Sequence, residues 1–137
     1  LAQVLQQLGS QHVLVVHGTD GMDEISISSA TYVAELNNGK VSEYTVQPQD
    51  FGLHISPLDS IRVANADEAH SMLLAVLDNQ QGAARDIVQL NAGAAIYVAG
   101  LSDTLYNGVK KAGEFIINGA AKNKLDQLVA LSASFKV

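Results

Sequence analysis

Four consecutive apolar residues, Val13-Leu14-Val15-Val16, run straight into His17-Gly18-Thr19-Asp20-Gly21-Met22-Asp23-Glu24. A short run that is apolar on both faces and closed by glycine reads as a strand buried within a parallel sheet. In open α/β sheets the ligand crevice lies just beyond the carboxyl ends of such strands. Two glycines permit a tight loop and a close approach of backbone to ligand, so Gly18 and Gly21 are the candidate loop-shaping, substrate-binding residues. Two adjacent carboxylates follow. Hard Mg²⁺ takes one or two carboxylates from a protein and completes its shell with phosphate oxygens. Asp23 and Glu24 are therefore the candidate metal ligands. Asp20 is expected to support an Asx-type turn by bonding its own backbone. His17, at the strand end, is expected to bond loop backbone.

Composition narrows the function classes. The chain has 137 residues, 47% hydrophobic and 16% charged, enough for one packed domain and too apolar for disorder. Its apolar segments are broken by Gly, Asn, Arg or Asp before they could span a bilayer, so no membrane contact is expected. With 14 acidic against 8 basic residues the net charge is −6, and no basic run appears, which argues against nucleic acid as a partner. Such a chain can still hold a phosphate if a metal bridges the two. The absence of cysteine rules out disulfides and thiolate chemistry in this chain. It fits the cytoplasm, the expected location. Leu1, Val4, Leu5 and Leu8 already follow helical spacing from the first residue, so the chain is read as a piece of a longer protein.

The remaining elements follow from pattern and punctuation. Residues 1–9 read as an amphipathic helix closed by Gly9. Ile25-Ser26-Ile27 alternates over too few residues to assign. Thr31 to Leu36 and Val41 to Val46 flank Asn37-Asn38-Gly39-Lys40, a strong hairpin signal. Gln47 to Leu58, with Pro48, Gly52 and Pro57, reads as loop. Asn65-x-x-Glu68 opens a helix over roughly 66–78 with an apolar face of Ala69, Met72, Leu73, Val76 and Leu77. The next helix, about 83–99, is apolar on nearly every side and is expected to be buried. Ser102 or Asp103 is expected to cap a third helix striped by Leu105, Val109, Ala112, Phe115 and Ile116, ending at Asn118-Gly119. A last helix carries Leu125, Leu128 and Val129. Arg85-Asp86 and Asn91 admit two readings, a phosphate clamp or a buried ion pair with an asparagine stitching helix to sheet. The second is favoured. Lys110, Lys111, Lys122 and Lys124 read as solvated helix faces, and His12, His54 and His70 share no metal-ligand spacing.

Four segments in order, His17 to Ser26, Val33-Ala34-Glu35-Leu36, Pro48-Gln49-Asp50-Phe51-Gly52-Leu53 and Arg85 to Ala95, resemble the C-terminal part of the anthranilate phosphoribosyltransferase family. The resemblance runs over essentially the whole chain. It implies transfer of a phosphoribosyl group from phosphoribosyl pyrophosphate to anthranilate, giving N-(5-phosphoribosyl)anthranilate and pyrophosphate in tryptophan biosynthesis. It implies Mg²⁺ as cofactor, with Asp23 and Glu24 matching the family's metal-binding acidic pair. It also implies a homodimer formed through the N-terminal region. The implied fold is α/β: part of a central, mostly parallel sheet with a β-hairpin and packed helices, as in the C-terminal domain of nucleoside phosphorylases and phosphoribosyltransferases. Residues 1–137 would form the C-terminal part of the large catalytic domain. The family's helical N-terminal domain, Gly-rich donor-binding motif and acceptor-binding Arg lie upstream and have no counterpart in this sequence, so the piece alone is expected to be inactive.

In such a transfer positive charge builds on the sugar and negative charge on the leaving pyrophosphate. The acceptor amine attacks, so no catalytic Ser or His is expected in this chain. Positioning and electrostatics carry the chemistry. The alternatives are a pyrimidine nucleoside phosphorylase-like relative with a different acceptor, or a non-catalytic assembly fragment.

Overall fold

The computed structural model describes residues 1–135. A short helix α1 (Ala2–Gln7) leads into strand β1 (His12–Gly18), a long loop, and a hairpin of β2 (Thr31–Asn37) and β3 (Lys40–Val46). Two 3₁₀ turns, Pro48–Phe51 and Leu58–Ile61, then lead to helices α2 (Ala66–Leu77), α3 (Ala83–Val98), α4 (Leu105–Ile117) and α5 (Ala120–Ser134). The predicted helices, strands and hairpin are all present. Asn38 and Gly39 both take positive φ, +49° and +76°, as a type I′ hairpin turn requires. Asn65 caps α2 by accepting from the Glu68 amide, and the Glu68 carboxylate in return accepts from the Ala64 amide.

The sheet departs from expectation in direction. Its order is β1-β2-β3, and β1 pairs antiparallel with β2 along its whole length, from His12↔Asn37 to Gly18↔Thr31. A parallel neighbour needs a crossover, usually a helix, whereas here the chain leaves β1 and loops straight back beside it. Val13 to Val16 are half-buried rather than buried. Leu14 and Val16 pack toward the helices against the core cluster. Val13 and Val15 alternate to the other face, which α1 covers only at the hairpin-turn end, where Gln6 donates to the Gly39 carbonyl at 2.6 Å.

The core lies between the sheet and the α3–α4 pair. Ile25, Ile27, Val33, Val46, Ile87, Leu90 and Val109 form one buried cluster. α3 and α4 cross closely because two glycines meet there. A Cβ built on Gly93 would overlap the Val109 backbone, and one on Gly108 would overlap the Gly93 carbonyl. Three helix expectations change. Thr104, not Ser102 or Asp103, caps α4 by accepting from the Asn107 amide, because the helix starts at Leu105. α2 buries only Val76, leaving Ala69 and Leu73 exposed. α3 buries the side facing sheet and α4, but Val88, Ala92 and Ala95 remain exposed. No helix among the described residues is long and apolar enough to cross a membrane.

Candidate functional site

The acidic segment sits on a compact loop between β1 and β2. Its base is closed by a bond from the Thr19 amide to the Ala30 carbonyl at 2.8 Å, and from the Gly18 amide to the Met22 carbonyl at 2.8 Å. Ile25-Ser26-Ile27, unassigned from sequence, is the anchor: these residues are 1%, 0% and 0% exposed. Among the described residues they have no strand partner, and their polar groups bond elsewhere. The Ser26 amide donates to Thr31 Oγ1 at 3.0 Å, and the Ser56 amide donates to the Ile27 carbonyl at 3.0 Å. The Ile25 amide donates to Asn91 Oδ1 at 2.9 Å, and Asn91 Nδ2 donates to the Ile25 carbonyl at 3.0 Å.

Asp20 forms the expected Asx turn, accepting from the Met22 amide at 3.1 Å. It also accepts from the hydroxyls of Ser26, at 2.5 Å, and Ser28. Burial pushes this carboxyl up, but the hydrogen bonds from Ser26, Ser28 and the Met22 amide outweigh it and hold it down, at about 2. Gly18 is confined by the same arrangement. A Cβ there would stand 2.5 Å from Asp20 Oδ1 and 3.1 Å from Met22 Cβ. Gly21 turns the chain at φ +92°, in the left-handed region that favours glycine.

Asp23 and Glu24 follow on the exposed rim of this loop. Partial burial, and then the neighbouring Asp23 charge, raise the Glu24 carboxyl above its usual range. A cation shared by the pair would relieve that repulsion. Among the described residues no group of three or more His, Cys, Asp or Glu side chains is placed to hold a metal. The donor set is thus two adjacent carboxylates. That fits Mg²⁺ carried in with phosphate oxygens, and does not fit an all-protein cage.

Other candidates fall elsewhere. The His17 side chain is exposed and makes no bond to loop backbone among the described residues, contrary to expectation, because alternation turns it to the outer face of the sheet. Arg85, 7% exposed, spends its donors on Asn79 and Gln89, each at 2.8 Å, and lies 3.6 Å from Asp86. These partners fit the favoured reading, a buried cation tied to neighbouring protein groups. Asn91 stitches α3 to the acidic loop rather than to a strand. His54 and His70 are exposed, and Lys122 pairs with Asp78.

Sequence reasoning missed Glu35. This residue, 8% exposed, accepts bonds from Tyr97 at 2.7 Å, Tyr44 at 2.9 Å and Asn37 at 3.3 Å, and pairs with His12 at 2.9 Å. Burial raises its carboxyl, but these bonds prevail and lower it. The available signal was alternation: Thr31, Val33 and Glu35 share the inward face of β2, and a carboxylate there requires partners.

The family described as glycosyl transferase family, a/b domain, matches residues 1–122. The chain belongs to this family. Among curated relatives, anthranilate phosphoribosyltransferase of Nitrosomonas europaea is 56% identical over 132 residues, which is 96% of this chain and 39% of that protein. The chain therefore spans only 39% of the length of this relative. The crystal structure of anthranilate phosphoribosyltransferase from Thermus thermophilus superposes with a TM-score of 0.85 at 32% identity, over 94% of this chain and 38% of that one. The enzyme of that name from Saccharomyces cerevisiae, in complex with PRPP and Mg, superposes with a TM-score of 0.79 at 21% identity, over 90% of this chain and 36% of that one. At that identity the likeness shows the shared α/β fold alone.

Proposed function

We propose that this chain is the C-terminal part of the α/β domain of an enzyme that transfers a phosphoribosyl group from phosphoribosyl pyrophosphate to anthranilate. The observation that carries the reading is the 56% identity, over 96% of the chain, to a protein named for that reaction. The bond from the anomeric carbon to pyrophosphate breaks and a bond from the anthranilate nitrogen forms, with loss of one amine proton. The protein acts in the cytoplasm, as a homodimer whose contacts come from the upstream region.

Asp23 and Glu24 would hold Mg²⁺, in keeping with the Mg and PRPP bound by the yeast relative. Bound there, Mg²⁺ supplies positive charge to the departing pyrophosphate. This chain's own residues hold the carboxylates in place. Asp20, tied to Ser26 and Ser28, sets the turn before them, and Gly18 and Gly21 keep that turn tight enough for backbone to approach a phosphate. No side chain here acts as nucleophile, because the acceptor amine supplies the electron pair.

The test is anthranilate fluorescence in the protein extended to its relatives' length. Consumption of anthranilate that requires both phosphoribosyl pyrophosphate and Mg²⁺ supports the reading. Persistence of the fluorescence, with phosphorolysis of a pyrimidine nucleoside in its place, would overturn it.

A further inference from the structure

Neither carboxylate of the acidic pair is held by a hydrogen bond of its own among the described residues, so their direction is set through backbone. One side chain controls that backbone from one side. Asn91, on α3, accepts from the Ile25 amide at 2.9 Å and donates to the Ile25 carbonyl at 3.0 Å. Its amide nitrogen also donates to the Ile87 carbonyl at 3.0 Å, one turn back on the same helix, which fixes the Asn91 side chain itself. The Ile25 amide belongs to the peptide group that begins at Glu24. Ile25 is 1% exposed and packed into the core, so the residue that Asn91 grips is itself anchored.

We infer that Asn91 is a positioning residue for the acidic pair: by fixing both backbone groups of Ile25 it fixes where the Glu24 carboxylate points. The inference rests on the reading of Asp23 and Glu24 as a Mg²⁺ pair. Groups that orient metal ligands without touching the metal are a general requirement of such sites. Here the oriented element is the peptide that follows the ligand. Asp20 and its serines hold the turn that precedes the pair, and Asn91 holds the residue that follows it.

The experiment is a double-mutant cycle on Mn²⁺ binding, in the protein extended to its relatives' length and in the presence of phosphoribosyl pyrophosphate. Free Mn²⁺ is read by electron paramagnetic resonance, which needs no turnover. Asn91→Ala should weaken Mn²⁺ binding by about tenfold, the lower end of what outer-shell substitutions cost. On a Glu24→Gln background the same substitution should add nothing, because the ligand it positions is already gone. A purely structural Asn91 would give additive effects, or a lowered melting temperature with Mn²⁺ affinity within twofold of the parent; either result overturns the inference. Asn91→Ser keeps a polar side chain without setting a carboxylate against the Ile25 and Ile87 carbonyls, and covers the case in which the alanine variant does not fold. It should show an intermediate loss, and parental affinity would count against the proposal. If Glu24→Gln alone leaves Mn²⁺ binding unchanged, the metal reading and this inference fall together. If Glu24→Gln weakens binding and both Asn91 variants keep the parental affinity, only this inference falls.

Discussion

Ser26, Ser28 and the Met22 amide all bond the Asp20 carboxylate, and the consequence is a pH-dependent loop. The folded carboxyl titrates at about 2 against an ordinary 3.8. A folded value below the unfolded one means the contribution is complete above the unfolded value and disappears as pH falls through the folded one. Asp20→Asn should therefore lower the urea midpoint at pH 7, and its difference from the parent should shrink between pH about 4 and about 2. A constant difference across that window would contradict the account. The Asx turn was legible because Asp bonds its own backbone two residues on. The serines were not, because their reach back to Asp20 depends on a loop path that no local pattern encodes. Glu35 shows the same limit. Its inward position could be read from alternation, but three of its partners, His12, Tyr44 and Tyr97, come from β1, β3 and α3, 9 to 62 residues away.

Elements pack here by close approach and by shared polar groups. Gly93→Ala would push a methyl group into the Val109 backbone at the α3–α4 crossing, at a cost of about 1–3 kcal/mol or more in chemical denaturation. Unaltered stability would mean the crossing is looser than described. Glu35→Leu would leave Tyr44, Tyr97 and His12 without their common acceptor and should cost about 1–3 kcal/mol by the same measurement. The start of α2, the hairpin turn and the strand positions were readable because each depends on residues within a few positions. The direction of β1 was not. An all-apolar run says that both faces of a strand are covered, and leaves open which strand lies beside it. Likewise, the apolar character of α3 predicted burial on every side, whereas Val88 and Ala92 line an open groove of about 370 Å³ with Leu77, Ile96, Phe115 and Ala121.

At the scale of the whole molecule, much apolar surface stays open. Val88, Phe115, Leu128, Val129 and Leu131 are 39% to 60% exposed, and Tyr32 on the outer face of the sheet is 58% exposed. Exposed apolar surface of this kind favours association. The 137-residue chain on its own should bind a hydrophobic dye and sediment above its monomer mass. The chain extended to its relatives' length should bind far less dye, and equal binding would contradict this view of the surface. The measurement that bears most directly on the account is anomalous scattering from crystals of the extended protein soaked with Mn²⁺ and phosphoribosyl pyrophosphate. The account predicts a manganese peak against the Asp23 and Glu24 carboxylates, beside the pyrophosphate. Manganese bound elsewhere, with the donor in place and the acidic pair free, would contradict it.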